Sequence, residues 1–196
     1  GGSFSVFDGL NQGRLAKINA EGEYDTGYLS AGVGFDNSVL KVLPLENKKT
    51  MVFGNFKKFN GVFISRIACL LEDGSLDTGF NTQQSGANNL IKNAVIQSDG
   101  KIICGGNFTK YNETLINRIV RISPDGIVDN TFSVGTGFNG QVFALAIQSD
   151  NKILVGGKFT LYNGMPVGRL LRLLPNGLPD ITFNVGLGVD DIVETI

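Results

Sequence analysis

Short apolar runs broken by regularly placed turns make up this chain, and none of them keeps helical spacing. Residues 90 to 98, LIKNAVIQS, alternate loosely between apolar and polar side chains and end at Asp99-Gly100. That dipeptide suits a two-residue hairpin turn, whose central residues both take positive φ. KIICGGNFT (101 to 109) follows as a second strand, then the polar, turn-rich link KYNETLIN. NRIVRIS is a third strand, ended by the turn Pro124-Asp125-Gly126. Val128 to Val134, which carries Asp129 and Phe132, is expected to pair as a fourth, outermost strand. No segment holds an apolar pattern at 3.6 spacing beyond two turns, so almost no helix is predicted.

This unit is written four times. An arginine is followed eleven residues later by an aspartate and then by an aromatic: Arg14, Asp25, Tyr28; Arg66, Asp77, Phe80; Arg118, Asp129, Phe132; Arg169, Asp180, Phe183. The arginines lie 52, 52 and 51 residues apart, and so do the aspartates. A constant period of that length marks a repeat architecture. Turn residues recur in register: Asp73-Gly74, Asp125-Gly126 and Asn176-Gly177 after the third strand, Asn60-Gly61 and Asn163-Gly164 in the second link. Most of the 27 glycines therefore answer a backbone demand. The expected fold is all-β, a β-propeller of four-stranded antiparallel blades with a repeat of about 52 residues. Its four blade equivalents form one domain over 1–196. The units run approximately 1–34, 35–86, 87–137, 138–188 and 189–196, the first and last partial.

DGSLDTGFN (73 to 81), AVIQSDGKIICGGNFTKYN (94 to 112) and NRIVRISPDGIVDNTF (117 to 132) resemble the delta-60 repeat, a bacterial and phage propeller repeat. The resemblance covers essentially the whole chain. The glycine pair after the second strand is also similar to kelch blades, although the kelch aromatic pattern and Trp are absent. The delta-60 resemblance implies a propeller in a secreted, cell-surface or virion protein, and it implies no catalytic residues.

Gly1-Gly2 aligns with Gly105-Gly106 and Gly156-Gly157, and Ile196 aligns near Leu145. Either the two ends complete one blade of a ring of four, or the chain is part of a larger ring. The second reading is the expectation, so the chain is taken as part of a larger chain or assembly. With 42% hydrophobic residues it can bury a core. A net charge of −1, from 17 basic and 18 acidic residues, argues against nucleic acid as a partner. No apolar run reaches the length of a membrane span, so no membrane insertion is expected. Cys69 and Cys104 fall in different strand columns of different units, which argues against a disulfide between them.

Arg14, Arg66, Arg118 and Arg169 with Asp25, Asp77, Asp129 and Asp180 are read as structural repeat pairs, since buried charge persists only when paired. Each arginine is expected to reach an aspartate or turn carbonyls. Three aromatic columns (Phe4, Phe56, Phe108, Phe159; Phe7, Phe59, Tyr111, Tyr162; Tyr28, Phe80, Phe132, Phe183) are read as blade-to-blade packing. Function is sought where the repeat breaks, in the loops leading into each first strand. Asp36, Asn37, Asn88, Asn89, Asn139, Asp190 and Asp191 form a candidate ligand-binding rim there, set against the alternative that Asx residues build turns.

The chain has no histidine, so neither a Ser-His-Asp triad nor a histidine zinc site can be built. No catalytic residue, metal or cofactor is assigned. The reading is a non-catalytic binding or structural module, extracellular, at the cell surface or in a virion, that offers a loop rim to a protein or glycan. Two alternatives stand beside it. One is a carbohydrate-active enzyme using rim carboxylates among Asp36, Asp190, Asp191 and Glu194. The other is a purely architectural virion or fibre component.

Overall fold

A computed structural model describes residues 1–29, 32–81 and 85–196. Among these residues every regular element is a strand. The first unit holds the short pair β1 (Val6–Phe7) and β2 (Leu10–Asn11). The second holds β3 (Val39–Pro44), β4 (Thr50–Gly54), β5 (Lys58–Phe59), β6 (Val62–Phe63) and β7 (Ile67–Leu70). The third repeats the pattern in β8 (Ile91–Ile96), β9 (Ile102–Gly106), β10 (Lys110–Tyr111), β11 (Thr114–Leu115) and β12 (Ile119–Ile122). The fourth gives β13 (Val142–Ile147), β14 (Ile153–Gly157), β15 (Leu161–Tyr162), β16 (Met165–Pro166) and β17 (Leu170–Leu173).

Each complete unit is a three-stranded antiparallel sheet in the order β3-β4-β7, β8-β9-β12 or β13-β14-β17. The middle strand is covered on both faces, which is why β9 reads IICGG without alternation and all five of its residues are buried. The predicted fourth strand is reduced to single bridges, Leu70↔Leu76, Ile122↔Val128 and Leu173↔Pro179. The reason is the aspartate that follows. Asp129 Oδ1 accepts from the backbone N–H and the hydroxyl of Thr131, turning the chain away from the sheet after one pairing.

The first turn also differs from expectation. Gly100 N–H donates to Gln97 O and Gln97 N–H to Lys101 O, so the loop spans three residues and only the last takes positive φ. Lys48 (φ 63°) and Asn151 (φ 63°) fill that position in the neighbouring units. Turns with two positive φ values occur instead in the second link. Asn60-Gly61 and Asn163-Gly164 close the hairpins β5-β6 and β15-β16, as Asn112-Glu113 closes β10-β11.

The cores lie between units rather than within them. Met51, Phe53 and Ile67 pack against Ile91, Ile102, Phe108 and Tyr111 of the next unit. Ile103, Ile119 and Phe132 do the same against Val142, Phe159 and Tyr162. Phe56, Phe108 and Phe159 are fully buried, as the column reading expects. Phe35 and Phe138, at the head of the lead-in loops, join them with ring centroids 4.4 Å from Phe56 and 4.3 Å from Phe159. Glycine makes the close approach workable. A Cβ on Gly105 would lie 2.5 Å from Val142 Cγ1, and one on Gly156 would lie 2.5 Å from Val193 Cγ1.

Candidate functional site

The lead-in loops spend their polar side chains on the backbone. Asp36 Oδ1 accepts from the N–H groups of Lys57 (2.8 Å) and Lys58 (3.0 Å). Asn88 does the same for Thr109 and Lys110, and Asn139 for Thr160 and Leu161. Both asparagines also donate from Nδ2 to a threonine hydroxyl at 3.0 Å. Asn37, Asn89 and Asp191 each accept from the N–H of the following residue. Asp190 holds the register position of Asn139 and is exposed. Six of the seven residues thus engage backbone N–H groups, one or two per loop.

The arginine and aspartate columns do not pair with each other among the described residues. The four arginines sit in left-handed backbone conformation, with φ of 68°, 76°, 68° and 60° in chain order. From there Arg118 Nη1 donates to Phe138 O at 2.6 Å and Arg169 Nη1 to Val189 O at 3.1 Å. Arg14 reaches Phe35 O in the same way, tying the third strand to the next lead-in loop. Arg66 turns back to Asn55 O (2.6 Å) and Phe56 O.

The aspartates are held by a different set of cations. Asp77 meets Lys49 at 2.8 Å, Asp129 meets Lys101 and Arg121, and Asp180 meets Lys152 and Arg172. The arginines that open the third strand are too far along it, since each carboxylate lies beside that strand's other end. Burial alone would raise the Asp129 carboxyl, but Thr131, Lys101 and Arg121 outweigh it and hold it well below the usual range. At Asp180 the Thr182 hydroxyl leads, with Lys152 and Arg172 behind it, and the direction is the same. Cys69 occupies the position of Arg121, and burial pushes its thiol up to about 11. Both cysteines are free and buried.

Among the described residues no group of three or more histidine, cysteine, aspartate or glutamate side chains comes together as a metal cage. The surface that stands out is apolar and was not singled out from the sequence. Phe63 is 73% exposed and Leu115 71%, in matching places on the hairpins β5-β6 and β10-β11. Val62 and Met165 add to the same set, and the Lys58 ammonium lies 4.6 Å from the centre of the Phe63 ring. Behind each of the two hairpins is a groove. One of about 260 Å³ is lined by Val62, Phe63, Ile67, Leu76 and Phe80. Its counterpart, about 250 Å³, is lined by Thr114, Ile116, Val120, Val128 and Phe132. Both are walled on one side by the segment that follows the third-strand turn, which includes Leu76 and Phe80 in one and Val128 and Phe132 in the other. The signal in the sequence is the short link itself, in which Val62-Phe63 and Thr114-Leu115 follow a two-residue turn, and all four side chains are exposed.

No curated protein matches this chain. The profile of one family does, over residues 46–80, 97–132 and 148–183, more than half of the chain. Each match begins at the first turn of a unit, takes in the middle strand, hairpin and third strand, and ends on the aromatic of the repeated pattern, Phe80, Phe132 or Phe183. With three consecutive units matched in register, the chain belongs to the family described as a domain of unknown function (DUF5122), beta-propeller.

Proposed function

We propose that the chain is a non-catalytic binding module whose hairpin flank takes a protein partner. The observation that carries this reading is the pair of equivalent exposed apolar side chains, Phe63, which lines its groove, and Leu115, which sits between the groove-lining Thr114 and Ile116. Loops and short hairpins on a rigid scaffold are where such frames place recognition, and exposed apolar groups rimmed by polar ones mark interaction sites. A protein suits this surface better than a glycan, because six of the seven Asx groups that would bind sugar hydroxyls are already engaged by backbone N–H groups. The likeness of the units to the delta-60 repeat supports a secreted, cell-surface or virion setting.

The test is selection of a random-peptide library on the immobilised chain, followed by comparison with the Phe63→Ser/Leu115→Ser variant. Both positions are exposed, so the fold should survive. Selected peptides should bind the variant at least about tenfold more weakly, a loss of about 1.4 kcal/mol. Peptides that hold both proteins equally would overturn the reading.

A further inference from the structure

The hairpins β5-β6 and β10-β11 share a backbone but not a charge. In each, an asparagine in left-handed conformation is followed by a second residue with positive φ, Gly61 (83°) in one and Glu113 (62°) in the other. Gly9 and Gly164 fill that place in the first and fourth units. A Cβ at such a φ carries a backbone cost that glycine does not, and a residue that bears the cost points to another use. The contacts of the side chain show that use. Glu113 Oε2 lies 3.7 Å from the ammonium of Lys110, three residues before it, and Oε1 accepts from the Ser85 hydroxyl at 3.0 Å.

Lys58 is the counterpart of Lys110 and has no such partner. Lys58 and its neighbour Lys57 form no ion pair among the described residues. The Lys58 ammonium stands instead over the Phe63 ring, an attraction between cation and ring face that holds it beside the exposed aromatic. Asp36 Oδ1 accepts from the backbone N–H groups of both lysines, so two ammonium groups are set against one carboxylate here. The carboxylate that lines the groove, Asp77, is already paired with Lys49. In the first and fourth units Val6 and Leu161 take the place of Lys58. Among the four hairpins, only that of the second unit sets a cation beside an exposed aromatic with no carboxylate on its turn.

We propose that this hairpin selects its partner by charge as well as by shape, taking an acidic, apolar peptide segment. An apolar side chain of the peptide sits against Phe63 in the groove, and an Asp or Glu about two residues away pairs with Lys58, a reach set by extended backbone at roughly 3.3 Å per residue. The proposal rests on the binding reading above and adds what the partner must carry. Glu113 is the counter-case: an internal carboxylate already meets the ammonium on the next hairpin, so Leu115 takes apolar segments without that preference. Residue 61 is thereby a specificity-determining position, where glycine leaves the cation to the partner and glutamate would claim it.

The experiment selects a random-peptide library on the unsubstituted chain and on the Gly61→Glu and Gly61→Gln variants. Glu113 shows that this turn admits a glutamate, and glutamine brings the same backbone cost without the charge. Peptides that depend on Phe63, identified by loss of binding to Phe63→Ser, should be enriched several-fold in Asp and Glu when selected on the unsubstituted chain or on Gly61→Gln. On Gly61→Glu the enrichment should vanish. A single acidic peptide should bind that variant about fivefold more weakly, the scale of one solvated charge pair near 4 Å. Lys58→Gln, which leaves the turn untouched, should lose the preference in the same way. Salt at about 1 M, where screening acts beyond about 3 Å, should remove the difference. Phe63-dependent peptides with no excess of Asp and Glu would overturn the charge preference and leave the hairpin as an apolar binding surface. Acidic peptides held equally by Gly61→Glu, or lost equally on Gly61→Gln, would overturn it too. Peptides indifferent to Phe63→Ser would remove the binding reading itself, and this proposal with it.

Discussion

The Asp129 carboxylate takes the Nε–H of Arg121 at 2.9 Å with both side chains nearly closed off from water, whereas Asp25 and Lys17, in the same two positions of the first unit, meet at 3.0 Å on open surface. Removing Asp129 strands a buried guanidinium that Gln97, Thr131 and Pro175 hold in place. Asp129→Ala should lower unfolding stability by about 2 kcal/mol, the scale of a buried donor left without its acceptor. Asp25→Ala should cost far less, because solvent screens the exposed pair. Urea unfolding of the two variants side by side measures the difference.

Acid should unfold the protein through the same carboxylates. The folded-state values of Asp129 and Asp180 lie below those of the unfolded chain. Their contribution is therefore fully present above the ordinary carboxylate value of about 4 and is lost as pH falls through that value towards the folded one. The urea midpoint should hold steady from about pH 7 to 5 and drop steeply below about 4. Asp129→Asn should flatten the drop. A midpoint as acid-sensitive as that of the unsubstituted protein would contradict the assignment.

Arg118 offers a test of backbone conformation separate from charge. Its φ of 68° suits glycine better than any residue with a Cβ. Arg118→Gly and Arg118→Ala both lose the bond to Phe138 O, but only alanine keeps the left-handed strain. The glycine variant should be the more stable by about 1 kcal/mol. Equal thermal midpoints would show that the strain is relieved in some other way.

At Asn139 a change of charge should matter less than a loss of oxygen. Asp36 already serves as the cap in a sister unit, so Asn139→Asp should stay within a few tenths of a kcal/mol, roughly the scale of a surface exchange. Asn139→Ala leaves Thr160 and Leu161 N–H without their acceptor and should cost about 1 kcal/mol. Neither change should alter binding of peptides selected on the hairpin flank.

The repeat period, the strand positions and the aromatic columns could be read from the chain because packing between units demands the same side chain at the same offset each time. The partners of the charged columns could not. Arginine and aspartate share a spacing along the sequence, but the third strand separates them in space, and the true partner column, Lys49, Lys101 and Lys152, follows the first turn instead. Its own regularity was the available signal. Phe35 and Phe138 were hidden among Asx-rich loop residues, and their burial comes from neighbours that only the fold brings near. The hairpins carried the turn chemistry of Asn-Gly, yet strands two residues long leave no periodic pattern to detect.

The glycines at 105 and 156 carry a consequence for curvature. Each admits a valine from the following unit at a distance that leaves no room for even a methyl group. A side chain there would act as a wedge, tilting adjacent sheets apart and widening the angle between neighbouring units before it altered any single blade.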